Sequence, residues 1–348
     1  MKAAVLYGNE DIRYEDIPTP VPGEGEVLIR VKAVGICGSD VPRVLQNGAH
    51  YYPIVLGHEF SGEIAGLGAG VSGRLAIGDR VAGAPLLPCF ACEDCKNGNF
   101  SLCKHYTFAG SRIQGAFAEY LVLPERNVVK FDASGPYETA AFFEPSTVAL
   151  HGLFCAGFQP GGNVAILGGG TIGMFTFQWA KLLGAKTVTV FDINDARLEL
   201  ATRLGATYTV NSMTEDPVEK TKELFPRGFD YVFETAGSTA TEKLAFRVCG
   251  NKAKVCFIGT PTGELTFTPA EFENLNRKEF TLTGSWMSYS DPFPGKEWEM
   301  TAQYFSSGEL KINDSFIYKK YPLSQAQEAF MEFKQPRNVK GKILLVTE

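Results

Sequence analysis

Asn163 to Gly173 reads NVAILGGGTIG, and the rest of the chain is organised around this stretch. Mostly apolar β-forming residues run into Gly168, Gly170 and Gly173, and Met174 to Leu183 continues as a buried helix, so the glycines stand at a strand-to-helix turn. In such a turn the first glycine permits the tight bend and the second lets the backbone approach a pyrophosphate. The third lets helix and strand pack closely, while the helix N-terminus offers amides to the anion. A lone GxGxxG is weak and is also found in ordinary glycine-rich turns. Here a second strand, Thr187 to Phe191, ends in Asp192, 19 residues after Gly173, where a carboxylate meets the adenosine ribose hydroxyls. Strand, spacing and acid together predict dinucleotide binding. Because Asp192 repels a 2′-phosphate, they favour NAD over NADP.

Working outward, runs at 163–168, 187–191, 207–210, 230–234, 253–258 and 279–284 alternate with helical or loop segments, which predicts a six-stranded, doubly wound parallel sheet. Upstream the texture is different. Residues 1–34 alternate apolar and polar positions between Pro18, Pro20, Pro22, Gly23 and Gly25, and SGEIAGLGAG, GDRVAGAP and GAFAEYLV continue that pattern, as strands of a small barrel do. AAFFEPSTVALHGLF, from Ala140, has helical spacing around Pro145, and Pro160-Gly161-Gly162 precedes the alternating region. Lys340 to Val346 is a β-run with no partner nearby, so the chain is expected to return to the first domain after Gly284-Ser285-Trp286. These readings give a discontinuous domain of residues 1–155 and 286–348 and a second domain of residues 156–285.

A chain of 348 residues accommodates two cores, and 45% hydrophobic with 21% charged residues suits a globular enzyme and excludes a disordered or fibrous protein. The net charge of -6 argues against nucleic acid or an anionic membrane as partner. The early charges of MKAAVLYGNED and the lack of a long apolar run point to a cytoplasmic protein. Of the 8 cysteines, Cys89, Cys92, Cys95 and Cys103 have the spacing C-x2-C-x2-C-x7-C. Four thiolates so close together in a reducing compartment can close a tetrahedral shell around a structural zinc; an iron–sulfur cluster is the rival reading.

A looser set is Cys37 in GICGSD, His58 and Glu59 in LGHEFSG, and Glu144 in FFEPS. Thiolate, imidazole and carboxylate from distant segments make a three-ligand shell that leaves one position for water or an alcohol. Taken singly none is compelling, since an isolated cysteine is commonly a small buried hydrophobe and a His beside a Glu a core pair.

In chain order GICGSD, GHEFSG, the four-cysteine loop, FEPS and the glycine fingerprint with its acid resemble the zinc-dependent medium-chain dehydrogenases, over essentially the whole chain. Glu144 stands where alcohol dehydrogenases of the family have a cysteine, which resembles the sorbitol and polyol branch. NGAHYYPIVLGHEF, PLLPCFACEDC, GSRIQGAFAEY and GSWMSYSDPFPGKEW are similar to members of that branch that act on polyol phosphates. The resemblance implies an α/β protein with a GroES-like β-rich catalytic domain and a Rossmann domain, two zinc ions per subunit, NAD, and a homo-oligomer, dimeric or tetrameric.

It further implies that Cys37, His58 and Glu144 hold the catalytic zinc, with Glu59 able to enter the shell, and that Ser39 takes the substrate's hydroxyl proton. Gly168, Gly170, Thr171, Ile172, Gly173, Asp192 and Arg197 line the dinucleotide, and Lys342 in GKILLV supplies a cation to its pyrophosphate. Arg112 in GSRIQG is the expected phosphate anchor, because its planar fork matches phosphate oxygens. The family often places a histidine three residues after the serine to carry the proton outward; this chain has Pro42, so the proton is expected to leave by water or by the cofactor ribose. His50, His105 and His151 are read as structural or surface residues. The competing expectations are a dehydrogenase of free polyols and a non-catalytic NAD-binding sensor, against which the intact set Cys37, Ser39, His58 and Glu144 counts.

Overall fold

A computed structural model describes residues 1–131, 135–335 and 338–347. The chain forms two compact units, residues 1–144 with 289–348 and residues 145–288. Among the described residues no helix is long and apolar enough to cross a membrane.

The second unit is the expected doubly wound sheet. Its strands are Asn163–Leu167, Thr187–Asp192, Tyr208–Asn211, Phe229–Glu234, Cys249–Phe257 and Thr281–Gly284. Numbered along the chain they lie in the order 3-2-1-4-5-6, each pair parallel. Central strands buried on both faces are apolar throughout: Val164, Ala165, Ile166 and Leu167 are all fully buried. The helix after the first strand begins at Thr171, earlier than Met174, because Thr171, Ile172 and Gly173 of the glycine loop already belong to its first turn. Two of the loop's glycines are sterically required. Gly168 has φ +107°, and a Cβ at Gly173 would lie 1.8 Å from the Gly168 carbonyl oxygen.

The first unit is β-rich. A seven-stranded sheet contains Glu26–Gly35, paired antiparallel with Glu59–Leu67, with Tyr120–Pro124 and with Lys342–Val346. The C-terminal run therefore finds its partners in the first unit. Val27, Ile29 and Val31 alternate into a core shared with Val34, Phe60, Ile64, Phe117, Leu123, Phe330 and Ile343. The register of this sheet positions the chemistry. Gly35 faces Glu59, and Leu344 faces Gly35 from the other side, so the ends of three strands converge just before Cys37.

Candidate metal centres and dinucleotide loop

Sulfur, imidazole and carboxylate meet at that convergence. Cys37 follows the strand Glu26–Gly35, His58 and Glu59 open the strand Glu59–Leu67, and one ligand atom from each lies within 4.8 Å of the others. Glu59 needs the glycine opposite: a Cβ on Gly35 would stand 2.5 Å from Glu59 Oε2. The space so left also admits Lys342, whose Nζ is 2.6 Å from Glu59 Oε2 and donates to the Ile36 carbonyl at 3.3 Å. The ammonium expected on a pyrophosphate is thus buried beside the carboxylate of the cluster.

Glu144, in the first turn of the helix Phe143–Cys155, lies outside the 4.8 Å set but close enough for its charge to act on Cys37. Its turn is anchored by Phe143, which stacks on Trp298 and packs against Phe131 and Phe305. Asp40, fully buried, accepts from the Cys37 amide at 3.3 Å and stands 3.7 Å from His58 Nδ1, too far for a hydrogen bond.

Burial works against the charged forms of the groups gathered here. Burial, followed by the charge of Glu59, pushes the Cys37 thiol well above its ordinary range. Burial raises Glu144 to about 7, with His58 and Lys342 opposing and Glu59 and Asp40 adding to the rise. Asp40 is raised by burial as well. Glu59 pairs with Lys342 and Asp40 with Arg43, while among the described residues His58 Nδ1 is buried without a hydrogen-bond partner. A buried imidazole nitrogen without a hydrogen-bond partner is costly, and a divalent cation taking thiolate, imidazole and carboxylate resolves that cost, so the donor set fits zinc. Ser39, exposed, donates to Cys37 Sγ at 3.4 Å and accepts from Arg43 Nη1 at 3.1 Å.

The second cysteine set is closed. All four sulfurs lie within 4.8 Å of one another, Cys89 Sγ is 3.9 Å from Cys95 Sγ, and Cys92 Sγ is 3.8 Å from Cys103 Sγ. A tetrahedron with metal–sulfur bonds of about 2.3 Å has edges of about 3.8 Å, so the cage suits one zinc ion. The amides of Ala91 and Cys92 donate to Cys89 Sγ and bring its thiol down to about 6, which readies it as a thiolate. Burial raises Cys95 to about 12.

In the second unit, a Cβ built on Gly170 meets nothing within 4 Å, and no side chain caps the helix Thr171–Leu182. The first-turn amides of Thr171, Ile172 and Gly173 therefore open onto a cradle that fits a pyrophosphate. Asp192 ends the neighbouring strand and is fixed to the loop: Oδ2 accepts from the Gly169 amide at 2.6 Å and Oδ1 from the Asn194 amide at 2.8 Å. Arg197 Nη1 lies 3.5 Å from the same carboxylate.

Arg112 is exposed on a turn of the first unit, stacked 4.5 Å over the Tyr106 ring. Sequence reasoning missed Asp40, Arg43 and the Glu59–Lys342 pair. For Asp40 a signal was present, since it adjoins Ser39.

Residues 23–133 match the alcohol dehydrogenase GroES-like domain and residues 171–304 the zinc-binding dehydrogenase domain. Galactitol 1-phosphate 5-dehydrogenase of Escherichia coli is 41% identical across 99% of this chain and 100% of its own. Sorbitol dehydrogenase of Bacillus subtilis is 33% identical across 99% of this chain and 97% of its own. The crystal structure of galactitol-1-phosphate dehydrogenase from Escherichia coli aligns with a TM-score of 0.93 at 40% identity, covering 99% of this chain and 100% of that one.

Proposed function

Because the chain belongs to the zinc-dependent medium-chain alcohol dehydrogenase family, we propose that it oxidises the secondary C5 hydroxyl of galactitol 1-phosphate with NAD, giving tagatose 6-phosphate. The observation that carries this reading is the 41% identity with galactitol 1-phosphate 5-dehydrogenase, which runs the full length of both chains. The free-polyol reading draws on the 33% identity with sorbitol dehydrogenase. A panel of NAD reduction with paired free and phosphorylated polyols tests the choice: kcat/KM for galactitol 1-phosphate is expected to exceed that for galactitol, and equal values would promote the free-polyol reading.

Cys37, His58 and Glu144 would hold the catalytic zinc, with Glu59 at its edge, and Cys89, Cys92, Cys95 and Cys103 a structural one. When bound, the catalytic zinc supplies the Lewis acidity that acidifies an alcohol, and NAD supplies the hydride acceptor. A carboxylate in place of a second thiolate makes the donor set harder, which suits a vicinal diol better than a simple alcohol. Ser39 Oγ receives the substrate's hydroxyl proton. Its hydrogen bonds to Cys37 Sγ and from Arg43 keep that oxygen beside the cluster. Pro42 offers no group to take the proton further, so it leaves through water or the cofactor ribose.

Replacing Cys92 or Cys103 by Ser is expected to lower the melting temperature and remove one zinc while changing the chemistry of surviving enzyme little, because closed sites of this type contribute folding free energy directly. Metal content and thermal unfolding decide it: one zinc lost at unchanged stability would sink the structural assignment.

Asp192→Gly is expected to raise KM for NAD about tenfold or more, since each charged hydrogen bond to a ribose hydroxyl is worth roughly 1.5 to 3 kcal/mol. The same change removes the carboxylate that holds the Gly169 amide. NADP gains relative to NAD, and steady-state kinetics with both cofactors check it. Unaltered NAD kinetics would place the ribose elsewhere.

A further inference from the structure

Arg43 lies on the six-residue helix Asp40–Leu45, one turn after Ser39. Its Nη1 donates to the Ser39 carbonyl at 2.7 Å, to Ser39 Oγ at 3.1 Å and to Asp40 Oδ1 at 3.3 Å. All three bonds use one nitrogen. Among the described residues, no protein acceptor meets Nε or Nη2, so the outer edge of the fork is presented beside the catalytic hydroxyl.

Two more basic side chains reach the same neighbourhood. The turn that carries Arg112 is fastened to the segment that carries His58. The Gly115 amide donates to Val55 O at 2.8 Å and the Ala116 amide to Gly57 O at 2.8 Å. Phe108 of that turn meets the His58 ring edge-on at 5.5 Å. The Arg112 guanidinium rests on Tyr106, whose hydroxyl accepts its Nη2 at 3.3 Å. His50 stands on a segment pinned by Tyr52, whose hydroxyl accepts from the Ala49 amide at 3.0 Å and donates to Asn9 Oδ1 at 3.3 Å. Partial burial, then the charges of Arg112 and Arg43, hold the His50 imidazole below its ordinary range. No carboxylate pairs with Arg112 or His50 among the described residues, although the chain carries a net charge of -6. Arg112 and the free edge of Arg43 offer donors that a dianion with several acceptor oxygens can take.

We infer that Arg43, together with Arg112 and His50, forms the site that holds the phosphate group of the substrate, Arg43 being its specificity-determining residue on the side of Ser39. This rests on the polyol-phosphate reading above and adds the residues that read the phosphate. The arginine fork serves two tasks, Nη1 positioning Ser39 and the free edge meeting the anion.

The test uses the zinc-loaded enzyme and the variants R43Q, R43K and R112A, with zinc content and melting temperature as controls on folding. Two quantities are read: the ratio of kcat/KM for galactitol 1-phosphate to that for galactitol, and the inhibition constant of inorganic phosphate against galactitol. R43Q is expected to lower the ratio and raise the inhibition constant, each about tenfold or more, since charge-assisted hydrogen bonds are lost; R112A acts the same way and R43K falls between. If wild-type enzyme prefers the phosphate ester and R43Q slows both substrates by one common factor, Arg43 only positions Ser39 and the inference is overturned while the substrate reading stands. If wild-type enzyme shows no preference yet phosphate competes in an Arg43-dependent manner, the anion site stands and the substrate reading falls. Absence of both preference and competition overturns both.

Discussion

Glu144→Ala is expected to abolish NAD reduction and to empty the catalytic zinc site while leaving the four-cysteine site filled. The helix Phe143–Cys155 begins one residue before this carboxylate, and the packing of Phe143 on Trp298, Phe131 and Phe305 fixes the turn from which it acts on the cluster. Without it the remaining donors are Cys37, His58 and Glu59, and Glu59 is already neutralised by Lys342 at 2.6 Å. Loss of a group that only supports a metal ligand costs about 10- to 100-fold in affinity or activity, so loss of a ligand should exceed that. Atomic spectroscopy and kcat on the same preparation check it. Full catalytic zinc with a near-normal rate would mean that the carboxylate has no place in the shell.

Ser39→Ala is expected to separate proton transfer from metal binding. The hydroxyl lies 3.4 Å from Cys37 Sγ and 3.1 Å from Arg43 Nη1 but supplies no charge to the cluster, so zinc should remain at its wild-type level. The rate should fall by about 10²- to 10⁴-fold, the usual contribution of a positioned proton acceptor. The fall belongs in kcat rather than in KM for NAD. Zinc lost from the variant, or a rate within about twofold of wild type, would remove Ser39 from the proton path.

What the sequence disclosed follows from how local each signal is. The glycine loop and Asp192 were legible because strand, turn, helix and acid lie within 30 residues and each has its own residue signature. The cysteine cage was legible for the same reason, its four cysteines lying between residues 89 and 103. The Glu59–Lys342 pair was not, because strands from opposite ends of the chain bring it together across Gly35. No local pattern encodes such a register. Lys342 shows the consequence. By resemblance it belongs to a pyrophosphate, whereas the fold seats its ammonium against Glu59 and the Ile36 carbonyl. Arg43 was obscured differently. Its helix is six residues long and contains Pro42, so no periodicity drew attention to the turn that sets the guanidinium over Ser39.

Two zinc ions of unequal role are the central claim, and stepwise metal removal tests it most directly. Zinc per subunit, NAD reduction and melting temperature are followed together as the enzyme is dialysed against increasing chelator. The account predicts that activity falls in proportion to the first zinc lost and returns when zinc is added back, with the melting temperature little changed, and that the second zinc leaves only as the protein unfolds. Turnover that persists after the first zinc has gone would contradict it.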